Sequence, residues 1–271
     1  MPVKIRKWIN IALFFAVIIV NYLASTNKIN KLNPGEISDS YSVLITPAGY
    51  VFSIWGLIYL LLLIFCIFQF LPKYQESQPV KEIGILFSLT CLENIGWIFA
   101  WHYKMFTLSL LIMLAFLITL IVIMIRLYRI TPSMSLLEKR VFKLPFSVYL
   151  GWISVATIAN ISFVLVASNW TRFKISPDNW SVIILFVIML LGLTVLTLQN
   201  DRPYVWVFIW AVLGIAVKNS KVSPIPITMI VALIMLAFLL RNLLASYLKE
   251  IQKPSKEDNL PLKQKVKKAK K

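Results

Sequence analysis

Long apolar blocks separated by short polar gaps constrain this chain more than any other feature. The blocks run about 17–25 residues, the length an α-helix needs to cross a hydrocarbon core about 30 Å thick. A soluble core would break such blocks with a polar face. Of the 271 residues, 59% are hydrophobic and 14% charged, against roughly 45–50% and about 25% in a soluble domain. The sequence therefore reads as an all-α membrane protein of about eight transmembrane helices.

The predicted spans are Trp8–Ser25, Pro47–Leu71, Ile83–Trp101, Met105–Leu127, Leu144–Ala167, Trp180–Leu198, Pro203–Val217 and Pro224–Tyr247. Pro47, Pro203 and Pro224 suit a first helical turn, where a missing N–H costs little. The seventh span is the weakest, since Pro203–Val217 at 1.5 Å per residue covers only about 22 Å. The start Lys4-Ile5-Arg6-Lys7 resembles the basic end of a signal peptide. The apolar run from Trp8 to Ala24 is longer than a signal core and no small-x-small site precedes Asn27, so it is read as a retained helix.

Net charge is +17, and its placement points to lipid. Lysine and arginine sit in the gaps and tails, and the segment Lys249–Lys271 holds nine lysines for a net +6. A basic stretch after a membrane helix fixes orientation and touches anionic lipid headgroups. No aromatic residue interleaves with these lysines, so a base-stacking nucleic-acid site is not expected. With the N-terminus in the cytoplasm and sides alternating, 21 basic residues fall on the cytoplasmic side and 7 outside. Without the tail the split is 11 to 7. Both termini are then cytoplasmic, and the lysine-rich chain fits a bacterial cytoplasmic membrane.

Three spans share one pattern. Phe52, Trp55, Tyr59, Leu62 and Cys66 follow steps of three and four in the second; Thr90, Asn94, Trp97 and Trp101 do so in the third; Tyr149, Trp152, Ala156, Asn160 and Phe163 do so in the fifth. Residues at these steps stack on one side of a helix. Two readings fit. Small and polar residues hold membrane helices together while tryptophans anchor at interfaces. Alternatively, aromatic faces with a few polar groups line a small-ligand pocket.

The run Tyr50-Val51-Phe52-Ser53-Ile54-Trp55-Gly56-Leu57-Ile58-Tyr59, led by Pro47, resembles the start of the second helix in the translocator-protein (tryptophan-rich sensory protein) family. Asn94-Ile95-Gly96-Trp97 is similar to that family's third-helix N-x-x-W, and Tyr149-Leu150-Gly151-Trp152 with Ala156-Thr157 and Asn160 is similar to its fifth-helix signature. The resemblance covers roughly residues 8–167. It implies a five-helix bundle that binds porphyrins, sterol-like lipids or other apolar ligands among its helices, with Trp55, Asn94, Trp97, Trp152 and Ala156 at pocket positions. Phe52, Tyr59, Tyr149 and Asn160 join them from the helical faces. The expected organisation is a translocator-protein-like bundle over 1–167, a three-helix membrane extension over 168–248 and a basic, disordered cytoplasmic tail over 249–271. Porphyrin or haem is a candidate bound ligand, and no cofactor is required. Expected partners are the bilayer, a small hydrophobic ligand, anionic headgroups at the tail and a second copy of the chain.

Glu93 falls near the middle of the third span. An intramembrane acid is costly and usually functional. It could be hydrogen-bonded to a neighbouring helix through Asn10, Asn21 or Ser154, serve as a proton-coupling site in transport, or touch the ligand. His102, the one histidine, falls at the outer end of that span, where an interfacial position or axial ligation of a haem iron are the alternatives. Cys66 and Cys91 lie inside spans without metal-ligand spacing, so no metal site is expected. No G-x-S-x-G, Walker or H-E-x-x-H motif is present. The leading expectation is a ligand-binding sensor or regulator. A proton-coupled transporter or permease using Glu93 is the alternative, and an enzyme acting on a tetrapyrrole or isoprenoid lacks a catalytic constellation.

Overall fold

The computed structural model describes residues 3–219 and 225–251. Among them, eight helices of fifteen residues or more follow one another: α1 (Val3–Ser25), α2 (Ile54–Phe68), α3 (Leu86–His102), α4 (Phe106–Ile130), α5 (Leu144–Ala167), α6 (Pro177–Gln199), α7 (Arg202–Lys218) and α8 (Ile225–Ile251). No strand occurs among the described residues. Six of the predicted segments form helical stretches long and apolar enough to span a membrane, α2 together with the 3-10 turn Gly49–Ser53 that leads into it. The two that fall short, α3 and α7, have 17 residues each, about 25 Å of helix. The predicted tail lies outside the described residues from 252 onward.

Helix ends follow local chemistry. Pro145 occupies the first turn of α5, whose bounds coincide with the predicted span. Ser176 caps α6 by accepting from Asn179 N–H at 3.2 Å, a bond that satisfies one orphan first-turn donor. Asp201 does the same for α7 through Tyr204 N–H. Pro47 departs from expectation, because it lies ahead of the helix. The chain runs Pro47–Ala48, turns through a 3-10 segment Gly49–Ser53 and becomes α-helical at Ile54. The physical reason is tertiary: Ala48 N–H donates to Gly214 O of α7 at 3.1 Å, which holds the segment extended at that point. The predicted start of the third span at Ile83 is displaced to Leu86, because Gly84 breaks the chain at φ +53°.

Two packing centres organise the bundle. α5 packs against α2, α4 and α7, and α7 packs against α5, α6 and α8. Both are apolar nearly all round, the pattern of a helix surrounded by protein. α3 packs between α1 and α4. The outward faces carry exposed Leu111, Ile118, Leu190 and Leu233, surface that lipid solvates and water does not. This is an integral membrane protein.

Candidate ligand pocket

A cavity of about 450 Å³ lies among α1, α2, α3 and the α1–α2 connection. Phe52 lines it from the 3-10 turn ahead of α2, Trp55 and Tyr59 from α2, Trp97 and Ile98 from α3, and Ile18, Asn21 and Tyr22 from α1. Asn33, Pro34 and Gly35 close one side. Behind Phe52, Trp55 and Trp97 lies a compartment of about 50 Å³, lined from α5 by Trp152, Ala156, Asn160 and Phe163. Pro34, Phe52, Trp55 and Trp97 border both spaces, so these side chains form the partition. No charged residue lines either.

The aromatic framework is edge-on. Trp152 meets Phe52 at 5.7 Å and Trp55 at 6.2 Å between ring centroids, both near perpendicular. Trp55 stacks on Tyr59 at 5.4 Å, and Trp97 on Trp101 at 5.6 Å. Rings in these arrangements gain about 0.5–1.5 kcal/mol per pair beyond area burial.

Two of the predicted ligand-binding residues line neither space. Tyr149 is a second layer, 2% exposed, packed against Trp55 and Phe116. Asn94 is fully buried; its Oδ1 accepts from Asn21 Nδ2 at 2.7 Å. Asn21 does line the cavity, so Asn94 orients a wall residue. The contributions of Asn21, Tyr22, Asn33 and Pro34 were not read from sequence. One signal for the loop was available: Asn33-x-x-Glu36 is a capping box, and both of its bonds form around the short helix Pro34–Ser38. Trp101 Nε1 donates to Pro34 O at 3.2 Å and Asn30 Nδ2 to His102 O at 2.7 Å. These bonds pin the loop over α3.

Polar groups near the cavity are short of partners. Trp97 Nε1 and Trp152 Nε1 are buried without a hydrogen-bond partner, while the Tyr59 hydroxyl and the Asn94 side chain lie within reach of each other. Buried polar atoms are seldom left unpartnered, and each costs about 1–3 kcal/mol when unsatisfied. Both indoles bear a hydrogen to donate.

Glu93 lies off the cavity. Its Oε1 accepts from Thr119 Oγ1 of α4 at 2.8 Å, in place of the expected Asn10, Asn21 or Ser154. Asn10 is engaged with Gln69 and Ser88, and Ser154 with Leu150 O and Tyr204. One residue beyond Asn94 toward the N-terminus means about 100° of rotation, which turns Glu93 to α4. His102 is fully buried at the end of α3; its Nδ1 pairs with Ile98 O at 2.8 Å and it lines neither space. Cys66 and Cys91 are free and buried. Among the described residues no cluster of metal-ligating side chains occurs.

A buried polar cluster that sequence reasoning missed sits at the other end of the bundle. Asp201, 1% exposed, accepts from Tyr128 Oη at 2.7 Å and from Ser147 Oγ, with Lys143 Nζ at 3.9 Å. It joins α4, α5 and α7.

No curated protein and no solved structure matches the chain. The family model described as TSPO-like protein matches residues 7–244. That match runs past residue 167, where the motif resemblance stops, and takes in α6, α7 and most of α8. With the helical architecture and most of the chain inside the match, the chain belongs to the TSPO-like protein family.

Proposed function

We propose that this protein holds a small hydrophobic ligand, porphyrin- or sterol-like, in the cavity between α1, α2 and α3, and acts as a membrane ligand-binding sensor or regulator. The observation that carries the reading is an uncharged aromatic cavity of about 450 Å³ with the unpartnered Trp97 Nε1 in its wall and the unpartnered Trp152 Nε1 in the compartment behind it. That volume falls in the range of small-molecule sites, about 300–1,000 Å³. A guest matched to this lining is flat and apolar, to lie on Trp55 and Trp97. It bears acceptor atoms, such as carbonyl or carboxylate oxygens, to take the free indole N–H groups. Family membership supports the same reading.

The membrane we assign is the bacterial cytoplasmic membrane, with both termini in the cytoplasm, on the 11 to 7 excess of basic residues outside the tail. Proton-coupled transport through Glu93 finds less support, since that acid faces Thr119 and not the cavity.

The test is a titration of the purified protein with protoporphyrin, followed by tryptophan quenching. Saturable quenching is expected, with affinity lowered several-fold in Trp55→Ala/Trp97→Ala, which removes two aromatic walls of the cavity. Equal affinity in parent and double variant would remove the assigned pocket.

A further inference from the structure

At the end of the bundle where α1 begins and α4 ends, a cleft of about 310 Å³ is lined by Arg6, Lys81, Gly84, Ile85, Leu86 and Arg126. Its three charged residues are all cations, and they come from three elements: α1, the short helix Gln78–Ile83 and α4. None of them is in an ion pair; the pairs found among the described residues join Lys143 to Asp201 and Lys218 to Asp39. The nearest acid in sequence is Glu82, and its carboxylate accepts from Gln78 Nε2.

The two arginines are positioned by backbone carbonyls. Arg6 Nη2 donates to Val80 O at 3.2 Å, and Arg126 Nη1 to Glu82 O at 3.3 Å. A guanidinium has five N–H groups, so each keeps donors free after this bond. The backbone adds a second, independent feature. Gly84 at φ +53° stops the short helix, and a Cβ there would lie 3.1 Å from Lys81 O. The chain then starts α3 with Ile85 at its cap and no side-chain cap bond. The first-turn N–H groups of a 17-residue helix therefore begin at the cleft, where their partial positive charge favours an anion. Three like charges brought together repel one another unless an anion sits between them.

An apolar track leads away from the cleft. Ile85, Leu89 and Leu92 are exposed at steps of four and three along α3, so they share one lipid-facing side. We propose that the cleft binds a phosphate group, with an anionic membrane phospholipid as the source: the phosphodiester among Arg6, Lys81 and Arg126, the acyl chains along Ile85, Leu89 and Leu92. This is a defined site, distinct from diffuse contact between headgroups and a lysine-rich tail, and it does not depend on the aromatic cavity.

The experiment places the full chain in nanodiscs of phosphatidylcholine with or without phosphatidylglycerol, and reads retained lipid by native mass spectrometry and the thermal midpoint. Phosphatidylglycerol should raise the midpoint of the parent and be retained after detergent extraction. Lys81→Gln/Arg126→Gln should weaken that binding about 25-fold, at roughly a factor of five per cation. Arg129→Gln/Arg140→Gln, which removes the same charge from the same end outside the cleft, should keep it. Lys81 makes no side-chain hydrogen bond, so Lys81→Gln alone reads the effect if the double variant does not fold. In a second arm, inorganic phosphate is titrated into protein held in neutral lipid; protection lost in the cleft variant would keep the phosphate site but assign it to a free phosphate. Equal losses in the two double variants, or no loss in either, would overturn the proposal.

Discussion

Gly214 of α7 lies so close to Val51 at the mouth of α2 that a Cβ on Gly214 would fall 2.1 Å from Val51 Cγ2 and 3.3 Å from Pro47 Cβ. Ala48 N–H donates to Gly214 O, and Trp210 Nε1 to Val51 O at 3.2 Å. The segment so held contains Gly49 and Phe52, which line the cavity. A helix outside the motif-bearing part of the chain thus positions one wall of the pocket.

Gly214→Val should push the Pro47–Ser53 segment away from α7. Overpacking of this kind costs about 1–3 kcal/mol, and porphyrin affinity should fall several-fold along with the thermal midpoint. Gly56→Ala is the control, because its added Cβ meets nothing within 4 Å. It should leave both quantities unchanged or raise the midpoint slightly, as expected of glycine replaced inside a helix.

Trp101→Phe should loosen the loop over the cavity while keeping most of its ring packing. It removes the bond from Nε1 to Pro34 O, about 0.5–1.5 kcal/mol net. Stopped-flow displacement should show ligand release faster by a few-fold, with little change in the thermal midpoint.

Asp201→Ala should destabilise the protein more than any change in the cavity. The carboxylate ties Tyr128, Ser147 and Lys143 together and caps α7. Losing a buried charged partner costs about 3–5 kcal/mol. Asp201→Asn keeps hydrogen-bonding capacity and should cost less. Unfolding in mixed detergent micelles provides the comparison.

Glu93→Gln should leave porphyrin affinity within about twofold, because the amide retains an acceptor for Thr119 Oγ1 and the side chain is away from the cavity. Loss of binding in this variant would place Glu93 at the ligand after all.

The bundle was legible because lipid imposes a length and a composition on every span. α5 shows this best: Pro145 marks its first turn, and the helix occupies Leu144–Ala167 as its apolar run requires. Pro47 was misplaced because its conformation is decided by Gly214, which is remote in sequence. The tryptophan faces of α2, α3 and α5 were legible as periodic stripes, and Trp55, Trp97 and Trp152 all border the small rear compartment. The walls supplied by α1 and the loop were not legible, since Asn21 and Asn94 lie 73 residues apart and neither local sequence specifies the other. Asp201 was hidden for the same reason. Its local sequence announces only a helix cap, while Tyr128 and Ser147 arrive from other helices.

Indole ¹⁵N–¹H spectra of the tryptophans, recorded during titration with protoporphyrin, test the pocket most directly. The Nε1–H resonances of Trp97 and Trp152 should move downfield as their unpaired donors find acceptors, while that of lipid-facing Trp8 stays in place. Static signals from Trp97 and Trp152 at saturating porphyrin, with shifts confined to exposed tryptophans, would contradict the assignment of the guest to this cavity.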